Sequence, residues 1–296
     1  MRILFASFFL FIFSSSFAQI TVESERDSDG NVQIYATNSS LIPYTIQFEF
    51  SNLQNLSPTG GTYALGVANP GKSKVATLKK VNANQGTNFS FKYTYLKGNI
   101  YAKSKTEPVY LIPVEEGVKV LGGKMTHIEN RIRSEANNDT YVGVSFRFDD
   151  EVEIVAPRKG VIVDMNMDLI EGKENLAFTR EENYIEIYHE DGTWTKLMVL
   201  KGGSQKVKLG QEVFPGDVLA ISGGENYENG RHIRMTVTKI EKDNLGKLKY
   251  MVEPVKFWIA GKGTAVESSS SFEVEHPKEL ITAEMSKREL KAYEGK

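Results

Sequence analysis

Apolar and polar residues alternate with a period of two along most of this chain, which is the pattern of half-buried strands. Between Ile20 and about Pro113 the segments VQIYAT (Val32 to Thr37), YTIQFEF (Tyr44 to Phe50), SKVATLKKV (Ser73 to Val81) and NFSFKYTYL (Asn88 to Leu96) follow it. Asp29-Gly30, Ser57-Pro58, Gly60-Gly61, Pro70-Gly71 and Lys97-Gly98 separate them as turn material. Short strands at this spacing, with no helical periodicity, predict an antiparallel β-sandwich over 19–113. The polar stretch 114–140, with Gly122-Gly123 and Asn137-Asn138-Asp139, reads as a connection. A second β-rich region spans 141–263. Its clearest units are Val152 to Met165, Asn183 to Leu200 with a hairpin signal at Asp191-Gly192, and Lys206 to Ser222 with Gly210 and Gly216 between valine posts. The remainder, 264–296, opens with serines and continues from Pro277 to Tyr293 as helix formers bearing a thin stripe of Leu280, Ile281, Met285 and Leu290. The fold class expected is therefore all-β, with a short helix at the C-terminal end.

The first 18 residues read as an export signal rather than as structure. Arg2 precedes the apolar run Ile3 to Phe13, and Ser16-Phe17-Ala18 offers small residues for cleavage between Ala18 and Gln19. That run is too short for a spanning helix, which needs about 20 apolar residues, so no transmembrane anchor is expected after signal removal. The chain has no cysteine, which removes disulfides, thiolate metal sites and cysteine nucleophiles together. A formal net charge of -2 gives no reason to expect nucleic acid as a partner.

The segment GRHIRMTVT (Gly230 to Thr238) places His232, Arg234 and Thr236 on one face of a strand and Ile233, Met235 and Val237 on the other. In order along the chain, VAPRKGVIV, YIEIYHEDG, VKLGQEVFPGDVLAISG and GRHIRMTV resemble the lysostaphin-like (LytM-type) zinc endopeptidases that cut peptidoglycan cross-bridges. The resemblance covers about 120 residues and implies a barrel-sandwich hybrid β domain. Enzymes of that family carry an early His-x-x-x-Asp, a histidine in Tyr-x-His-Leu, and a closing Gly-Pro-His-Leu-His-Phe strand. Zinc is held by the early His, the Asp and the last His, and its fourth position takes the attacking water.

Carried onto this chain by counting back from Ala156-Pro157, the early His falls on Tyr141 and the Asp on Ser145. The middle histidine falls on Val199, the assisting histidine on His232 and the last zinc ligand on Arg234. Arginine offers five donors and no lone pair and would repel a cation. The resemblance therefore implies a degenerate member: no bound metal, a vestigial His232, and a groove lined by His232 and Arg234 in which Arg234 meets a carboxylate from a peptidoglycan stem peptide or a protein partner. The other histidines, His127, His189 and His276, read as a linker residue, a structural residue and a tail residue, and Asp149-Asp150-Glu151 as a solvated turn. The function expected is that of an exported cell-envelope pseudopeptidase that binds peptidoglycan or regulates a cell-wall hydrolase, as some degenerate relatives activate cell-wall amidases. An active zinc endopeptidase in a different register and a structural surface spacer are the alternatives.

Overall fold

A computed structural model describes residues 19–104, 106–126, 141–170, 182–228 and 230–295. The expected signal segment before Gln19, and His127, lie outside the described residues. Among the described residues no helix is long and apolar enough to cross a membrane.

Alternation in the N-terminal region folds into two sheets. One has the order Ile20–Arg26, Val32–Asn38, Gly71–Lys80 and Leu56–Pro58; the other has Leu65–Ala68, Tyr44–Gln54 and Asn88–Lys97. In Val32–Asn38 every second residue is buried, so Val32, Ile34 and Ala36 pack against Ile46, Phe48, Leu56 and Leu78 between the sheets. Burying apolar faces of both sheets is what drives them together.

The second region is organised around one large sheet. Its strands run in the order Glu212–Val213, Gly160–Asn166, Tyr184–Tyr188, Trp194–Met198, His232–Lys242, Tyr141–Arg147, Lys119–Thr126 and Ser270–Glu273. Leu248–Val252 pairs with the distal half of His232–Lys242. The inner face supplies Phe146, Ile162, Ile185, Ile187, Leu197, Ile233, Met235 and Val237 to a second core. Two smaller sheets close over that core: Glu153–Val155 with Val218–Ile221, and Lys262–Ala265, Lys256–Ile259 and Val109–Tyr110.

Part of the stretch read as a connection, and part of the serine run, belong to this domain. Lys119–Thr126 is a strand between Tyr141–Arg147 and Ser270–Glu273, and Val114 and Val120 are buried in the second core. Gly122 is a close-approach glycine rather than a turn, because a Cβ there would stand 2.7 Å from the Phe272 ring and 3.0 Å from that of Phe146. The serine run likewise forms the edge strand Ser270–Glu273, followed by the buried Val274. Beyond Pro277 the helical stretch divides into Lys278–Thr282 and Lys287–Glu294, the latter opened by a capping box between Ser286 and Glu289.

The sandwich rests on the outward face of the large sheet. Lys97 Nζ lies 2.6 Å from the Glu186 carboxylate, the Tyr250 hydroxyl accepts the Lys97 N–H at 2.8 Å, and Gln47 Nε2 donates to Gly246 O at 2.7 Å. Val163 and Tyr188 of the second domain pack against the core of the first.

Candidate functional site

Strand register assembles the site. Ser145 is the pairing partner of Arg234, Arg234 of Met198, and Met198 of Tyr184, so these four stand in one row across the sheet. The neighbouring row, Thr236, Lys196, Glu186 and Asp164, lies two residues along each strand and shares the outward face. Of the positions singled out from the sequence, Ser145 and Arg234 are thus brought face to face. Tyr141 begins the strand that ends with Arg147, opposite Thr126. Between Tyr141 and Ser145, Gly143 adopts φ 135°, and a Cβ there would sit 2.5 Å from Met235 O. Only glycine lets the two strands approach this closely.

Val199 is not a groove residue. It follows the strand Trp194–Met198 at φ 73°, a conformation rare for a β-branched side chain, and is buried. Its N–H donates to Asn183 O at 3.1 Å and its carbonyl accepts from the Gly223 N–H at 2.9 Å, which turns the chain away from the row.

Arg234 reaches a carboxylate, but one within the chain. Its Nη1 lies 2.6 Å from Oε1 of Glu182, with side-chain exposures of 13% and 8%. The Tyr227 hydroxyl donates to the same oxygen at 2.8 Å, and the Tyr227 ring lies 5.2 Å from the guanidinium carbon. An arginine this shielded from water needs a counter-charge, and Glu182 supplies it. The expectation that Arg234 stands ready for an outside carboxylate is corrected accordingly. Glu182 escaped the sequence reading because it lies 52 residues from Arg234. Its signal was weak: an acidic residue two positions before Tyr184, just ahead of the strand Tyr184–Tyr188.

His232 is also enclosed rather than lining an open groove. It is 3% exposed and stands edge-on to Tyr227, ring centroids 5.0 Å apart. Its Nδ1–H donates to Gly230 O at 2.7 Å. Burial pushes its pKa down to about 4, and the charges of Arg234 and Arg147 act in the same direction against the Gly230 hydrogen bond. The imidazole is neutral at neutral pH.

The remaining candidates are structural. His189 is fully buried, its Nδ1–H donating to Lys159 O at 2.7 Å and its Nε2 accepting from the Thr195 hydroxyl at 2.8 Å. Burial, then the Arg158 charge, push its pKa down to about 3. His276, read as an exposed tail residue, is half-buried, with Nε2–H donating to Val114 O at 2.9 Å. Asp149 and Asp150 are exposed, and Glu151 meets Lys201 at 2.7 Å, as a solvated turn would have it.

A zinc ion needs three lone-pair donors converging on one point. Here the row offers a neutral hydroxyl at Ser145 and, opposite it, a cation already bound to Glu182. No group of three or more His, Asp or Glu side chains suited to a metal occurs among the described residues. The described residues of the row do not fit the ion.

Residues 139–245 match the profile of peptidase family M23. No curated protein matches the chain. Solved structures similar to it include the SpoIIQ-SpoIIIAH pore-forming complex, at 18% identity over 49% of this chain and 89% of that one, with a TM-score of 0.33. Pseudoalterin, an M23 metalloprotease from the deep sea, has 13% identity over 56% and 99% of the two chains and a TM-score of 0.32. Helicobacter pylori Csd3 has 11% identity over 92% and 83%, with a TM-score of 0.32.

Proposed function

Residues 139–245 form a peptidase family M23 domain, and from that premise we propose that this protein is an exported, noncatalytic member that binds peptidoglycan in the cell envelope. The observation that carries the reading is the ion pair of Arg234 with Glu182 opposite Ser145, at the positions where the family resemblance requires zinc ligands. A peptidase of this kind activates water on a metal. A guanidinium held by a carboxylate has no lone pair to offer one. What the row retains is recognition. With Thr236 of the neighbouring row, Ser145 and Tyr184 give an extended peptide hydroxyl partners along one sheet face, and Met198 gives it apolar contact. The short apolar leader ending at Ala18 supports export, and a role in regulating a wall hydrolase would follow from occupying the same substrate.

Zinc-loaded protein, dialysed and measured for bound metal and for peptidoglycan cleavage, tests the noncatalytic part. Substoichiometric zinc and no cleavage are expected, whereas one zinc per chain with turnover would overturn it. Sedimentation with insoluble peptidoglycan tests the binding part. The wild type should co-sediment, and the double substitution Ser145→Ala with Thr236→Ala, which removes two of the hydroxyls offered to the peptide and leaves the Arg234–Glu182 pair intact, should weaken retention several-fold. Absence of retention by both proteins would favour a spacer role.

A further inference from the structure

Neither C-terminal helix, Lys278–Thr282 or Lys287–Glu294, contains a buried residue. The pair is nevertheless tied to the second domain through two adjacent cations. The Arg158 side chain is 3% exposed, and its Nη1 donates to Asp191 Oδ2 at 2.7 Å and to the Tyr110 hydroxyl at 3.1 Å. The other edge of the guanidinium, Nε and Nη2, forms a fork with the two oxygens of Glu284 at 2.8 and 2.6 Å. Lys159 Nζ donates to both oxygens of Glu289 at 2.8 Å and lies 5.2 Å from the centre of the Phe214 ring. Glu212 stands 3.5 Å from the same nitrogen.

Each cation therefore has one carboxylate from its own domain and one from the tail. Asp191 with Tyr110 fixes the guanidinium plane, and Glu212 fixes the ammonium, whether or not the tail is in place. With the tail removed, an oriented two-donor fork and an ammonium remain side by side, the geometry that recognises paired carboxylates. The tail's own hold on them is light. It buries no apolar side chain fully, and each cation also has a carboxylate within its domain, so a few charge-assisted hydrogen bonds secure it.

We propose that the Arg158–Lys159 turn is a docking site for an acidic segment of a partner protein, occupied in this chain by its own tail through Glu284 and Glu289. The tail is the template for the partner: two carboxylates five residues apart, flanking a helix start. This site is separate from the Arg234 row and does not rest on the function proposed for it.

A fluorescent peptide spanning residues 276–295 is the probe, added to the full chain and to the full-chain variant Glu284→Gln, Glu289→Gln. Roughly tenfold tighter binding to the variant than to the wild type is expected, because the variant's own tail no longer competes. Peptide binding should weaken several-fold between about 50 and 300 mM salt, and a peptide carrying glutamine at both positions should not bind. Amide hydrogen exchange should quicken in 278–294 of the variant and stay slow in Trp194–Met198, which separates a released tail from a misfolded domain. Equal affinity for both proteins, equal affinity of the glutamine peptide, or no binding to a folded variant would each overturn the proposal.

Discussion

At the scale of single residues, the chemistry turns on what surrounds two side chains. Arg234 is met by Glu182 and covered by Tyr227, and Tyr227 in turn encloses His232. A buried imidazole that is neutral in the fold resists protonation, whereas the unfolded chain takes up a proton near pH 6.5. Its contribution to stability is therefore whole above pH 6.5 and is lost as pH falls from there toward about 4. Between pH 7.5 and 4.5 this amounts to about 2 kcal/mol. His232→Asn keeps a donor for Gly230 O without titrating, so urea unfolding at the two pH values should show a loss smaller by that amount in the variant. An identical loss in both proteins would mean that His232 does not carry this pH dependence. The alternation of His232 and Arg234 with Ile233 and Met235 was legible in the sequence; the carboxylate that neutralises Arg234 was not, because nothing local marks a partner 52 residues away.

At the scale of elements, strand pairing does the positioning. Tyr141–Arg147 lies against His232–Lys242 in a register that sets Ser145 opposite Arg234, and Gly143 is where the two strands come closest. Gly143→Ala should cost about 3 kcal/mol, since it combines an unfavourable φ with a collision against Met235 O. Gly61→Ala, at φ 83° but with open space around it, is the control and should cost only about 1 kcal/mol. Comparable losses on chemical denaturation would show that backbone conformation, not close approach, sets the requirement. Glycine pairs read as turns from composition alone can mislead in this way. Gly122 lies in a strand where the Phe272 and Phe146 rings fill the space a side chain would need, and Ser270 and Ser271 lie in the strand that pairs with it.

At the scale of the whole molecule, the sandwich and the second domain share a desolvated contact. Glu186 is buried beneath Lys97, with Lys196 3.4 Å away, and Val163 and Tyr188 extend the first domain's core. Scanning calorimetry should record one cooperative transition for both domains, and Lys97→Met should lower its midpoint by leaving Glu186 partly uncompensated, at a cost of about 1–3 kcal/mol. Two well-separated transitions in the wild type would show that the contact does not couple them. By itself the sequence determined the β class, the inward faces of the strands and the alternation that sets His232 and Arg234 on one face, because period-two alternation is a local property of the chain. The tertiary structure alone decided that Glu182 would neutralise Arg234, that 119–126 and 270–273 would become strands, and that Arg158 and Lys159 would hold the tail. Each of these joins residues far apart in the chain, and burial and charge compensation act on distance in space.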